Sequence, residues 1–181
     1  MALAVMDAQN AAPIDIHIDW AAVQLAQFEH DEKYHREICR LSTQDRLRHM
    51  SLHFAKYAGR LLDDPSDADF RQIAVDTMVI AVSCANILNV DLLGKFVPFA
   101  GKLAQPEYTR RLAIAAGKMA AACEKLDHLE DFPFRPTLTT QALGILTDSV
   151  ALFQTEGWEP VQEMSQRLAK IKAKSIFHGK I

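Results

Sequence analysis

Leu47–Leu62 reads LRHMSLHFAKYAGRLL, and its pattern decides the fold class. On a helical wheel Leu47, Met50, Phe54, Tyr57, Ala58 and Leu61 share one face, the spacing of a helix that buries a single side. His49, His53, Lys56 and Arg60, at i, i+4, i+7 and i+11, form a second, polar stripe. Ser42-Thr43-Gln44-Asp45 ahead of it has the form of a capping box, with Asp45 where Glu or Gln is more usual. Asp63-Asp64-Pro65 ends the helix, and Ser66–Asp69 repeats the cap before the long apolar run Phe70–Leu93. That run is apolar nearly all round, with a narrow polar strip of Gln72, Asp76, Ser83 and Asn86. Such a helix is central, its strip turned to a cleft or a polar network. The two segments read as an antiparallel helical pair around which the rest is built.

Outward from this pair, the chain continues as helices. It has 181 residues, 49% of them apolar, with seven Gly and seven Pro, a composition that favours an all-α protein over a sheet. Residues 1–18 read as a disordered or extended lead-in, and 19–181 as one all-α domain. Asp19 caps a helix from Trp20 to about Arg40. Its middle, Glu29-His30-Asp31-Glu32-Lys33-Tyr34-His35, is dense in metal-ligating side chains. Glu32 and His35 form one Glu-x-x-His, but diiron bundles need two such motifs and the chain has no second. The segment therefore reads as a solvated, charge-rich face. Asp91 caps a short helix that Pro98 stops, and Pro106 starts a helix to about Leu129. Phe132–Pro136 reads as a linker, Leu138–Thr155 as a helix ending at Gly157, and Pro160 opens a last helix to about Phe177.

Composition also excludes some functions. A net charge of −3 with mixed signs gives no reason to expect nucleic acid. The basic Arg167–Lys180 segment fits the cations that a helix C-terminus favours. Cys39, Cys84 and Cys123 form no Cys-x-x-Cys pair and read as free thiols of a reducing compartment. Met1–Pro13 lacks the pattern of a signal peptide, and the polar residues within Phe70–Leu93 argue against a membrane span, so the expected location is cytoplasmic.

The second half of the chain repeats the first in pattern, giving pseudo-repeats at about 43–100 and 106–178. Ala55, Ala58, Gly59 and Arg60 lie over Ala113, Ala116, Gly117 and Lys118. Ile73–Met78 lies over Gln141–Leu146, and Asn89-Val90-Asp91-Leu92 over Gly157-Trp158-Glu159-Pro160. With these features the chain resembles the MazG-like, all-α nucleoside triphosphate pyrophosphohydrolases. In that family a helix with Glu-Glu-x-Gly-Glu-Leu precedes one with Glu-Glu-Leu-x-Asp-Val-Leu. A Gly-Ile-Asp-Leu-like turn and a basic terminal helix follow. Here the corresponding segments read Lys56-Tyr57-Ala58-Gly59-Arg60-Leu61, Gln72-Ile73-Ala74-Val75-Asp76-Thr77-Met78 and Asn89-Val90-Asp91-Leu92, with Lys170–Lys174 at the end. The resemblance implies a helical bundle of two MazG-like hairpin repeats plus an N-terminal helix. It also implies a four-helix core formed within one chain, as a monomeric pseudo-dimer or a homodimer.

The same resemblance implies a change of chemistry. The family's carboxylates hold magnesium, which takes hard oxygen ligands and clamps the triphosphate while water attacks. Of the first half's acidic positions Asp76 alone remains, with Lys56, Arg60 and Ile73 at the others. In the second half Ala115, Lys118, Gln141 and Gly144 stand there. Magnesium-dependent hydrolysis is thus expected to be lost, and no cofactor is expected unless that chemistry survives, in which case it is Mg2+.

The polar stripe has three readings. It is a solvated helix face; or it lines the family's substrate cleft, where fixed positive charge replaces magnesium; or His49 and His53 hold a transition metal with Asp76. In the second reading Arg60 grips phosphate, Lys56 adds a point charge and the histidines donate as pH allows. Asp76 then orients Arg60 or Lys56, and Asn86 reads a base edge. The expected function is binding of a nucleotide or phosphate-containing ligand without turnover. The alternatives are a non-enzymatic helical interaction or regulatory protein and, with the metal reading, a hydrolase using a His49, His53 and Asp76 site.

Overall fold

The computed structural model describes residues 18–176 and 178–180. Among these the chain forms eight helices and no strand: α1 (Trp20–Tyr34), α2 (Arg36–Cys39), α3 (Thr43–Leu62), α4 (Asp67–Ile87), α5 (Leu92–Lys95), α6 (Gln105–Asp127), α7 (Phe134–Glu156) and α8 (Pro160–Lys174). Except for Ile18, the lead-in read at residues 1–18 lies outside the described residues, as does Phe177.

The starts follow the caps in the sequence. Asp19 accepts from the Ala22 N–H, Ser42 from that of Asp45, and Ser66 from that of Asp69. Asp45 and Asp69 in turn accept from the hydroxyls of Ser42 and Ser66, both at 2.7 Å, so the shorter Asp side chain returns to the cap hydroxyl where a Glu of a capping box reaches the cap backbone N–H. The helix read as continuous to Arg40 instead breaks at His35, whose backbone (φ −130°, ψ 40°) leaves helical values. The stretch read as a linker is helical from Phe134, because Pro136 falls in the first turn, where a missing N–H costs nothing.

The ends of α4 and α7 are built alike. At α4, Asn89 takes φ 53° and Val90 N–H donates to Ala85 C=O at 2.9 Å. At α7, Gly157 takes φ 70° and Trp158 N–H donates to Phe153 C=O at 2.8 Å. Each is a left-handed cap that satisfies orphan carbonyls. In each case an acidic residue two positions on, Asp91 or Glu159, caps the next helix.

The hairpins α3–α4 and α6–α7 pack into a four-helix core, α3 against α6 and α4 against α7. Phe54, Ile73, Met78, Tyr108, Met119, Leu146 and Phe153 fill it, all fully enclosed. Helix α4 is also covered by α1 and α8, so it touches neighbours on every side. By length and composition alone α4 would cross a membrane, yet 72% of its apolar stretch is buried inside the bundle. Phe54→Ala, which leaves a cavity where α3 meets the core, is expected to cost about 3–5 kcal/mol, read from urea unfolding monitored by circular dichroism.

Candidate functional site

The cavity of interest, ≈ 230 Å³, lies between α1, α2, α3, α4 and α8. Helix α1 brings Gln27, His30, Asp31 and, at its break, His35. Helix α3 brings Arg46, His49, His53 and Tyr57, α4 brings Asp76 and Ser83, and α8 brings Arg167. Met50, Val79, Ile80, Leu168 and Ile171 form the apolar part of the wall.

The stripe on α3 divides here. His49 and His53 turn into the cavity, whereas Lys56 is exposed beside it and Arg60 is exposed one turn further on. Lys56 Nζ lies 3.2 Å from His53 Nδ1. A protonated ammonium only donates, so Nδ1 is the acceptor and the His53 proton sits on Nε2. From there it is donated to His49 Nε2 at 3.0 Å. Burial, and then the Lys56 charge, hold His49 below the ordinary imidazole range and push His53 down to about 4. His53 is therefore neutral at physiological pH. Burial also lowers the Lys56 pKa, partly offset by Asp76.

Asp76 does not orient Arg60 or Lys56. Its carboxylate, 7% exposed, is held in a fork by Arg167 of α8: Nε donates to Oδ1, and Nη2 to Oδ2 at 3.0 Å. Asn86 lies outside the cavity and serves packing. It donates to the Gln24 carbonyl at 3.0 Å and accepts from the Gln24 amide at 2.9 Å, tying α1 to α4. Of the six residues read as ligand-binding, the structure thus brings three, His49, His53 and Asp76, to one cavity, with Lys56 beside it.

The rest of the cavity comes from the segment read as a solvated face. His30 is 8% exposed, and both of its ring nitrogens are buried with no hydrogen-bond partner. Asp31 accepts from Gln27 Nε2 at 2.9 Å and from Ser83 Oγ at 2.7 Å. Gln27 Oε1 and Arg46 Nε are also buried without partners. Groups left so typically cost about 1–3 kcal/mol each, and their gathering at one cavity marks a place prepared for something polar. A pattern for it exists in the sequence: Gln24, Gln27, Asp31 and His35 recur at helical spacing, and Gln24 and Asp31 meet Asn86 and Ser83 of the α4 strip. The dense charges around them, on Glu29, Glu32 and Lys33, hide it; these three are exposed.

Comparison with protein-family models, curated proteins and solved structures found no match to this chain.

The ion pair is testable. Arg167→Met leaves Asp76 buried alone and is expected to destabilise the fold by about 3 kcal/mol, whereas Asp76→Leu with Arg167→Met returns to within about 1 kcal/mol of wild type in urea unfolding. The His53 value is testable by NMR in the presence of EDTA. Its imidazole is expected to stay neutral down to about pH 4, and Lys56→Met is expected to move the titration up by less than burial moves it down. The sign for stability follows. Between the ordinary value of 6.5 and about 4 the unfolded chain binds the extra proton, so this site makes stability fall as pH falls through that window.

Proposed function

We propose that this chain is a MazG-like helical bundle that binds a compact phosphate-containing ligand and has lost the family's magnesium-dependent hydrolysis. The observation that carries the reading is Arg46 in the cavity wall, whose Nε is buried without a hydrogen-bond acceptor. Arg46, Arg167 and the adjacent Lys56 meet two carboxylates, Asp31 and Asp76, among the described residues. Asp76 is neutralised by Arg167, and its oxygens are held by the guanidinium rather than presented to a hard cation. The charges of the lining cancel and Lys56 beside them is exposed, so what is left over in the wall is the buried Arg46 Nε, which lacks an acceptor. A phosphate oxygen supplies that acceptor.

Size decides which part of a ligand enters. At ≈ 230 Å³ the cavity lies below the roughly 300–1,000 Å³ of sites that enclose drug-sized molecules. A phosphate or phosphomonoester fits inside; a nucleoside joined to it extends past Lys56 along α3 toward Arg60. The histidines act here as neutral hydrogen-bonding groups, not as cations. The repeat reading is supported by the matched turns at Asn89–Asp91 and Gly157–Glu159 and by the α3–α6, α4–α7 pairing.

Calorimetry in EDTA with inorganic phosphate and nucleoside mono- and triphosphates tests this. Saturable heat is expected with at least one of them, weakened about tenfold or more by Arg46→Gln, since a charge-assisted hydrogen bond contributes about 1.5–3 kcal/mol. Absence of heat with all of them overturns the binding reading. Magnesium-dependent release of pyrophosphate from a nucleoside triphosphate overturns the loss of hydrolysis.

A further inference from the structure

We infer that the C-terminal end of α1 is a binding site for a divalent first-row transition-metal ion, with His30, Asp31 and His35 as its protein ligands. One donor atom from each of these side chains lies within 4.8 Å of the others. Tetrahedral ligands at about 2.1 Å from a metal sit roughly 3.4 Å apart, so a modest closing of the three side chains completes the set. Two imidazoles and one carboxylate suit zinc, iron, nickel or copper; magnesium and calcium take oxygen.

Three observations point the same way. The His30 ring is buried with neither nitrogen hydrogen-bonded, and its Nδ1 lies 3.9 Å from Asp31 Oδ1, so the neutral ring keeps a lone pair free for an ion beside that carboxylate. Asp31 is already fixed by Gln27 and Ser83, the kind of outer hydrogen bonding that orients a ligating carboxylate and leaves it lone pairs for the ion. The break in α1 falls at His35 itself, so this residue is set by its own backbone geometry and not by a continuing helix. The His30 and His35 ring centres are 5.5 Å apart.

Three protein ligands leave coordination positions open, and the open side is the cavity. His49 and His53 line it from α3, each already hydrogen-bonded, and they are not needed for the set. The site is distinct from the position of the family's magnesium carboxylates on α3 and α4. It also does not depend on the phosphate reading, although an ion at this point would add positive charge to the same cavity.

The test uses the full chain without a histidine tag, stripped with EDTA, dialysed and titrated with Zn2+ by calorimetry and with Co2+ by visible absorption. One equivalent is expected to bind, with Co2+ giving d–d bands of a low-coordinate site. Asp31→Asn and His35→Gln are each expected to weaken Zn2+ by about a hundredfold or more, beyond the 10–100-fold loss typical of outer-shell changes. His128→Gln, at an exposed histidine, is expected to leave binding unchanged. His35 is half-exposed, so its variant carries the test if Asp31→Asn does not fold. Added weakening by His49→Gln with His53→Gln supports the site and assigns a further ligand to α3. No stoichiometric binding overturns it. So does binding that survives His35→Gln unchanged, or that is lost only with the α3 pair. Because phosphate binding is measured in EDTA, failure of either reading leaves the other standing.

Discussion

A helix packed against four others cannot leave its inward polar groups unpaired, and α4 carries Asp76, Ser83 and Asn86 along one strip. Asp76 and Ser83 are buried among Ile73, Met78, Val82 and their neighbours and Asn86 is half-buried, where an uncompensated carboxylate or amide costs several kcal/mol. Each is answered by a different reach of the chain: Asp76 by Arg167, Ser83 by Asp31 and Asn86 by Gln24. The apolar remainder of α4 drives burial without direction. These three pairings supply direction, fixing where α8 and α1 lie over the four-helix core. The cavity is what remains between helices docked on those terms.

Much of this was legible in the sequence because its causes are local. Caps, prolines and the left-handed Gly157 act within a few residues of themselves, and the apolar face of α3 declares its period in one window. The reading failed where a cause was distant or masked. Arg167 lies 91 residues from Asp76, and in sequence it is one cation among several at a helix end. Phe132–Pro136 reads as a linker because a first-turn proline such as Pro136 and a loop proline differ only in what surrounds them. His30 and Asp31 are flanked by Glu29, Glu32 and Lys33, so charge density along the chain suggests a solvated face, while the helical period turns Gln27, His30, Asp31 and Tyr34 inward.

The stripe on α3 shows how far a resemblance to a family can be carried residue by residue. The presence of Lys56 and Arg60 on this stripe argues against a magnesium site there, because that ion takes hard oxygen ligands. It does not say where these cations go, and in the structure both are exposed, while Arg46, one turn before His49, enters the cavity. The positive charge next to bound ligand would then come from a residue outside the motif. Likewise Asp76, the one carboxylate among the residues read as ligand-binding, serves as an anchor for α8.

The electrostatics of the cavity favour neutral imidazole over imidazolium. Low polarity and the nearby Lys56 ammonium both penalise a second positive charge on His49 or His53, and the 3.0 Å contact between their Nε2 atoms requires that at least one of them present a lone pair. Neutral imidazoles attract metal ions and hydrogen-bond to phosphates, but they do not neutralise them. Any anion held here is therefore balanced by arginine, by lysine or by a bound cation. The first two are fixed by the helices. The third is the one quantity that can be added or withdrawn from solution, so occupancy at His30, Asp31 and His35 would set how much negative charge the cavity accepts.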